Sequence, residues 1–126
     1  MARILIVEDE AHSARALEIF FSSLGHEVRT AERADTALAL AHDFVPQVVL
    51  TDLLLIGPQD GVDVARELAG LEPAPRVILM SGLPRVEVEE RAKGEPFFQI
   101  HTKPLKLALV RASVDEAIAS LNGGGP

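Results

Sequence analysis

Short, continuous apolar runs rich in β-branched residues recur along the chain and are separated by longer amphipathic stretches. Three such runs are ILIV, VVL and VILM, at residues 4–7, 48–50 and 77–80. None alternates with polar residues, which is typical of strands covered on both faces. Two weaker runs, EVRTA at 27–31 and FFQIH at 97–101, complete five predicted strands. The weak alternation of EVRTA indicates an edge strand.

The stretches between these runs carry apolar residues at spacings of three and four, which predicts helices. The predicted helical segments are 12–24, 35–42, 62–68, a charged, frayed helix plus loop over 84–95, and 105–121. The positions expected to face inward are Ala16, Leu17, Phe20, Phe21 and Leu24 in the first helix, Val62, Ala65 and Leu68 in the third, and Leu105, Leu109, Ala112 and Ala117 in the last.

Strands and helices therefore alternate along the whole chain, which predicts a parallel sheet with helices on both faces. Right-handed crossovers leave few topologies, among them the flavodoxin-like strand order 2-1-3-4-5. The sequence shows no internal linker or repeat, so we expect one domain over 1–121. The remaining residues 122–126, NGGGP, are expected to be a flexible tail.

Composition narrows the function classes. The chain has 126 residues and a formal net charge of −7, which disfavours direct nucleic-acid binding through a basic patch. It has no cysteine, which excludes disulfides and thiolate metal sites and fits a reducing compartment. No run approaches the roughly 18 apolar residues of a membrane span. We therefore expect a cytoplasmic domain without membrane insertion.

Polar residues end or follow the predicted strands at one edge of the sheet. Glu8 and Asp9 follow the first strand, Asp52 the third, Ser81 the fourth, and Lys103 the fifth. The carboxyl ends of parallel strands open onto one edge, and neighbouring strands lie about 4.8 Å apart. These side chains are therefore expected to converge. Such a site would explain the aspartate in an apolar stretch, because an unpaired buried carboxylate is costly.

The residue types at this edge favour phosphoryl transfer. Three adjacent carboxylates repel one another unless a cation lies between them, and Mg²⁺ binds through carboxylates while accepting a phosphate oxygen. Lys103 can bind phosphate, Ser81 offers a hydroxyl, and Gly82 leaves its backbone amide open to close approach. The central Asp52 can itself be the nucleophile and form an acyl phosphate.

The motifs ILIVEDE, VVLTD, VILMSG and HTKP, in this order and spacing, resemble the receiver domain of two-component response regulators. The resemblance covers essentially the whole chain and implies a three-layer flavodoxin-like (βα)5 fold. It implies roles at the matching positions. Asp52 would be the phosphoacceptor, and Mg²⁺ would be held by Asp9 and Asp52 directly, by Glu8 through water and by Leu54 through its backbone carbonyl. The phosphate-binding groups would be Ser81, Gly82 and Lys103, the switch residues Ser81 and Ile100, and Pro104 would follow a cis peptide bond.

The resemblance also implies partners. The phosphoryl donor would be a sensor histidine kinase or a histidine phosphotransfer protein, and phosphorylation would change binding to an output protein that the sequence does not identify. The domain would be no enzyme beyond phosphoryl transfer to its own Asp52 and slow self-dephosphorylation.

Three positions depart from the family pattern. The loop LLLIGPQDG is one residue longer, with Ile56 at the usual proline and Gly61 nine residues after Asp52 instead of eight. Ile100 stands where the family has its switch aromatic. Leu54 and Leu83 occupy positions where other members tune hydrolysis with side chains that orient water. Both are apolar, so we expect slow autodephosphorylation.

Four other functions compete with a stand-alone, chemotaxis-type receiver. One is a receiver fragment of a hybrid histidine kinase or transcriptional regulator, although the ending LNGGGP argues against it. A haloacid-dehalogenase-type hydrolase needs a second acid where Leu54 stands. A flavodoxin-type electron carrier needs a Ser/Thr/Gly-rich loop after the first strand, where this chain has Glu8 and Asp9. A receiver that binds partners without phosphorylation would lack some of the acidic-site residues, and all are present.

Overall fold

The computed structural model describes residues 1–123 and shows five strands alternating with five helices. The strands are β1 (Arg3–Val7), β2 (Glu27–Ala31), β3 (Val48–Asp52), β4 (Arg76–Ser81) and β5 (Gln99–Thr102). The helices are α1 (Ala11–Ser23), α2 (Ala34–Phe44), α3 (Gly61–Leu68), α4 (Arg85–Ala92) and α5 (Leu107–Leu121).

The strands form one parallel sheet in the order β2-β1-β3-β4-β5, which confirms the flavodoxin-like prediction. The continuous apolar runs lie in the middle of the sheet, and every residue of β3 is buried. The weakly alternating β2 is an edge strand, as its sequence predicts. The order in which strands are added to the sheet reverses between β1 and β3, and this reversal places the crevice of the fold beside these two strands.

Helices cover both faces of the sheet and give a three-layer sandwich. On one face α2 and α3 pack on Leu5, Val7 and Val49. On the other face α1 and α5 pack on Ile4, Ile6 and neighbouring positions of β3 and β4. Alternate residues of each inner strand thus serve opposite layers, which explains why the inner strands are apolar throughout.

The last helix presents a different face to the sheet from the one its sequence predicts. Its buried residues are Val110, Ser113, Val114 and Ala117, of which only Ala117 belongs to the predicted stripe. Leu109 is 55% exposed and Ala112 is also exposed. The helix begins at Leu107, so Leu105 lies in the preceding loop and packs on the core from there. A stripe extrapolated from Leu105 therefore has the wrong phase.

Two smaller predictions are also corrected. Strand β5 begins at Gln99, because Phe97 N–H bonds to the Glu95 carbonyl in a tight turn and both phenylalanines precede the strand. In α1, Leu17 and Phe21 are buried while Ala16 is exposed, since Ala16 lies on the solvent-exposed face of the helix.

After α5, the described part of the chain closes with a short turn at residues 122–123. The predicted tail over 122–126 falls mostly on residues 124–126, which lie outside the described residues. Within residues 1–123, no helix has the length and apolarity needed to cross a membrane.

Candidate functional site

The carboxyl ends of four strands bring the predicted polar residues together. Val7 pairs with Thr51 in the sheet, so the residues that follow them, Glu8 and Asp52, are neighbours. Lys103 follows β5, and its backbone N–H donates to the Ser81 carbonyl at 2.7 Å. The convergence expected from strand order is therefore present.

Lys103 compensates the buried carboxylates. Its Nζ donates to Glu8 Oε2 at 2.9 Å and to Asp52 Oδ2 at 2.8 Å. The Glu8 side chain is 1% exposed and the Asp52 side chain 11% exposed. Two acids at this depth are tolerable because one ammonium group is shared between them.

The environment of Asp52 shifts its titration. Burial raises the pKa of Asp52 to about 6, Lys103 opposes the rise, and Glu8 adds to it. For Lys103, burial acts to lower the pKa, but the bonds to Asp52 and Glu8 outweigh it and the pKa is raised. In the absence of a cation, Asp52 therefore takes up a proton more readily than an ordinary aspartate does, because its pKa is raised to about 6.

The raised pKa of Asp52 predicts a stability change in Asp52→Asn. Since the folded pKa of about 6 exceeds the ordinary value of 3.8, wild type loses stability as pH rises across this window. The amide removes that loss. In EDTA at pH 7.5 we expect the variant to be more stable by about 1–2 kcal/mol. The gain should vanish below pH 4, as followed by denaturation with circular dichroism.

The exposed Asp43 of α2 provides a control for this prediction, since Asp43→Asn removes a charge elsewhere. A gain for Asp52→Asn that persists unchanged at pH 4 would contradict the assignment of the effect to Asp52 ionisation.

The three carboxylates fit a hard divalent cation. Glu8, Asp9 and Asp52 each offer one oxygen, and these oxygens lie within 4.8 Å of one another. Oxygen ligands at the mouth of a crevice suit Mg²⁺, which keeps some of its waters. Asp9 is half-buried and, unlike Glu8 and Asp52, has no bond to Lys103, so that ammonium group does not pair with its carboxylate.

Ser81 and Gly82 border the same edge. Ser81 is 1% exposed, and its Oγ accepts the Leu83 N–H at 3.1 Å. A Cβ built on Gly82 would meet nothing within 4 Å, so the space beside its backbone is open. A hydroxyl and an accessible backbone therefore flank Asp52 on the β4 side.

The other predicted residues lie around this edge. Leu54 is 50% exposed in the loop after β3. Ile100 is half-buried and packs against the cluster formed by Leu53, Leu79 and Val88, so this position faces the core below α4. The Lys103–Pro104 peptide bond is cis, as the resemblance implies.

Gly61 has a role that the sequence pattern only hints at. A Cβ at this position would overlap the backbone carbonyl oxygen of Asp52, so α3 starts directly against the strand end. Gly61 N–H also donates to the Leu53 carbonyl at 2.8 Å, and Asp60 caps the helix in a reciprocal pair with Asp63. The sequence signal is the Asp-Gly pair just before an apolar stripe.

The histidines do not join the site. His101 Nε2 lies 2.7 Å from Ser113 Oγ between β5 and α5, and burial, aided by Arg85, lowers the pKa of His101. His26 Nδ1 accepts the Ala2 N–H at 3.0 Å. Both are structural, which agrees with the absence of ligand spacing in the sequence.

Comparison with known proteins identifies the family. The family model of the response regulator receiver domain matches residues 4–115. The chain belongs to this family. Among curated relatives, the receiver is 34% identical over 116 residues to regulatory protein AtoC of Escherichia coli, a match covering 92% of this chain and 25% of AtoC. It is 38% identical over 85 residues to response regulator PleD of Caulobacter vibrioides, covering 65% of this chain and 18% of PleD.

Solved structures show the same fold. The signal receiver domain of a modulated diguanylate cyclase from Desulfovibrio desulfuricans is 31% identical, with a TM-score of 0.86 over 99% of both chains. A receiver domain protein from Clostridium thermocellum superposes with a TM-score of 0.88 at 24% identity, over 97% of this chain and 98% of that one, and shows the fold alone. The receiver spans about a quarter of the length of the curated relatives first matched.

Proposed function

We propose that this receiver accepts a phosphoryl group on Asp52 from a phosphohistidine of a sensor histidine kinase or histidine phosphotransfer protein. The observation that carries the proposal is the buried Asp52 carboxylate, bonded to Lys103 at the carboxyl edge of the sheet beside Glu8 and Asp9. Burying a carboxylate that has no function would only destabilise the fold, whereas a buried carboxylate next to a lysine is a typical environment for a nucleophile.

In the proposed step an Asp52 carboxylate oxygen attacks phosphorus and forms an O–P bond. The P–N bond of the donor breaks, and its electron pair stays with the imidazole nitrogen. Lys103 neutralises charge on the phosphoryl oxygens, and the Ser81 hydroxyl and the Gly82 backbone amide donate to them. The bond between Lys103 and Asp52, and the position of Ser81 and Gly82 at the end of the neighbouring strand, support a reaction in which the protein contributes mainly position and charge.

Mg²⁺ is the proposed cofactor. Asp9 and Asp52 would hold it directly, Glu8 through water, and Leu54 through its backbone carbonyl. When bound, the ion would neutralise charge that develops on the transferred group. The clustered carboxylate oxygens support this proposal.

Phosphorylation would act on partners through Ser81 and Ile100. The Ser81 hydroxyl would turn towards the phosphoryl group, and the cluster under α4 to which Ile100 belongs would adjust. The output is binding of a further protein in the cytoplasm. The greater length of AtoC and PleD favours a second candidate, in which the receiver controls domains of a larger regulator.

The direct test is intact-mass analysis after incubation with a small phosphodonor and Mg²⁺. We expect wild type to gain the mass of one phosphoryl group in a hydroxylamine-labile bond, and Asp52→Asn to gain none. Asp43→Asn, which alters an exposed aspartate, should behave as wild type. An adduct that persists in Asp52→Asn, or no adduct in wild type, would overturn the proposal.

The phosphoryl group should be lost slowly. Leu54 and the half-buried Leu83 border the site and cannot orient an attacking water. We expect Leu54→Asn to speed loss of phosphate by roughly tenfold or more, measured as release of inorganic phosphate after donor removal. Ile56→Asn is the matched control, because Ile56 is an aliphatic residue of similar exposure in the same loop. Loss within seconds in wild type would contradict this expectation.

A further inference from the structure

The loop that follows the phosphoacceptor is held by backbone hydrogen bonds at its two ends but by few contacts in between. Leu53 N–H donates to the Met80 carbonyl at 2.9 Å, and Gly61 N–H closes the loop on the Leu53 carbonyl. Within residues 1–123, no backbone amide of 54–59 donates to a backbone carbonyl. Leu55 packs on the core, but Leu54 and Ile56 on either side of it are exposed. The loop tip therefore needs another support.

Arg33, just before α2, lies against the loop tip. Gly57 has φ +102, and a Cβ there would stand 2.9, 3.1 and 3.2 Å from Arg33 Nη2, Cζ and Nη1. Three nearly equal distances mean that Gly57 faces the plane of the guanidinium group. Gly57, in the lengthened loop after β3, is thus packed on an arginine from a different part of the chain.

The guanidinium group is itself held in place. Arg33 Nε and Nη2 donate to the two carboxylate oxygens of Asp35 at 3.2 and 3.4 Å. Asp35 Oδ1 also accepts the Thr36 N–H at 2.7 Å. This bidentate geometry fixes the orientation of the plane, which a lysine ammonium group could not reproduce.

Arg33 borders both the loop and a groove that reaches the acidic site. It lines a cleft with Asp35 on one side and Ile56, Pro58 and Gln59 on the other. It also lines a groove between α1 and α2 that reaches Glu8. A displacement of Arg33 would therefore free the loop that carries Leu54, two residues after Asp52.

We propose that Arg33 is a positioning residue for this site: by packing on Gly57 it holds the loop so that the Leu54 carbonyl is presented to the cation. This inference rests on the proposed function. Arg33 touches neither the cation nor the phosphoryl group and acts only through the loop. Loss of such support weakens metal binding by typically 10–100-fold.

Calorimetric titration with Mg²⁺ tests the inference without any phosphodonor, and suits a chain that has no Trp or Tyr. We expect Arg33→Ala to raise the Mg²⁺ Kd about tenfold, and Arg33→Lys to restore little. Removing a positive charge near an acidic site should by Coulomb's law alone strengthen cation binding. A higher Kd in Arg33→Ala would therefore show that Arg33 positions the loop, because the loss of its charge alone would lower the Kd.

Arg15→Ala is the matched control, because Arg15 lines the same groove, is 69% exposed and pairs with Glu18 away from the loop. It should leave the Mg²⁺ Kd unchanged or slightly lower. An equal weakening in Arg15→Ala, or an unchanged Kd in Arg33→Ala, would overturn the inference.

NMR order parameters in EDTA give a second readout. For residues 54–59 we expect values to fall below about 0.6 in Arg33→Ala while α3 keeps values near 0.85. Introducing Gly57→Ala should lower the Tm more in the wild-type background than in the Arg33→Ala background. In wild type the new methyl group meets the guanidinium group, whereas in Arg33→Ala that group is absent. Equal Tm losses, or unchanged loop order parameters, would count against Arg33.

The kinetic outcome separates this inference from the proposed function. At saturating Mg²⁺, Arg33→Ala should be phosphorylated to the same extent as wild type, with only the Mg²⁺ concentration for half-maximal rate increased. If neither protein is phosphorylated, the proposed function fails, while the Mg²⁺ titration and the order parameters still decide the role of Arg33.

Discussion

Lys103→Met is expected to destabilise the metal-free protein at pH 7.5 by about 3 kcal/mol. Removing one partner of a buried ion pair leaves an uncompensated charge, which costs roughly 3–5 kcal/mol. Here the ammonium group serves both Glu8 and Asp52, and it is partly exposed, so the lower end of that range applies. Methionine keeps most of the aliphatic stem, so lost packing contributes little.

This deficit should depend on pH and on Mg²⁺. Asp52, whose pKa is already raised to about 6, takes up a proton as pH falls, and the neutral carboxyl group is then stabilised less by the Lys103 ammonium group. We expect the difference in unfolding free energy to narrow below pH 6, and Mg²⁺ to recover part of it at pH 7.5. Urea denaturation followed by circular dichroism measures it. Lys93→Met, at an exposed lysine, is the control, and an equal deficit at pH 5 and pH 7.5 would contradict the mechanism.

Gly61→Ala should be the most damaging of the glycine substitutions, by about 3 kcal/mol or more. The new Cβ would overlap the Asp52 carbonyl oxygen and lie 3.1 Å from Leu53 Cα. Both are backbone atoms of a buried strand end and cannot move aside as a flexible side chain can. Either α3 shifts away or β3 is displaced, and a displaced β3 also moves Asp52.

Gly70→Ala is the matched control for Gly61→Ala. Its Cβ would meet only the Glu67 carbonyl oxygen, at an ordinary 3.5 Å. We expect a change within about 1 kcal/mol, since alanine also restricts the unfolded chain. Comparable losses for the two variants in urea denaturation would show that the contact at Asp52 is not what makes Gly61 necessary.

The sheet and the convergence of the site could be predicted because both follow from short-range pattern. Strands buried on two faces are apolar throughout, and parallel topology brings their carboxyl ends to one edge. Asp52, Glu8 and Lys103 therefore meet as expected. The face of α5 could not be predicted as reliably, because Leu109 and Val110 both belong to stripes with helical spacing. Only packing on the sheet selects the stripe that contains Val110.

The support of the loop after Asp52 could not be predicted at all. Arg33 and Gly57 are far apart in sequence, and no periodicity links an arginine before one helix to a glycine before the next. The glycine signals a turn, but its neighbour in space is set by the tertiary fold. Likewise, the Asp-Gly pair at 60–61 predicts a helix start. The close approach of Gly61 to the Asp52 carbonyl, in contrast, is visible only in the tertiary structure.

The sharing of Lys103 between two acids has a consequence for the order of events. Glu8, Asp9 and ionised Asp52 with one ammonium group leave the crevice with a surplus of two negative charges. A phosphorylated donor of the proposed kind is itself anionic and would be repelled by that surplus. A bound divalent cation would cancel it and leave the crevice neutral. In the proposed reaction, electroneutrality therefore favours binding of the cation before the donor.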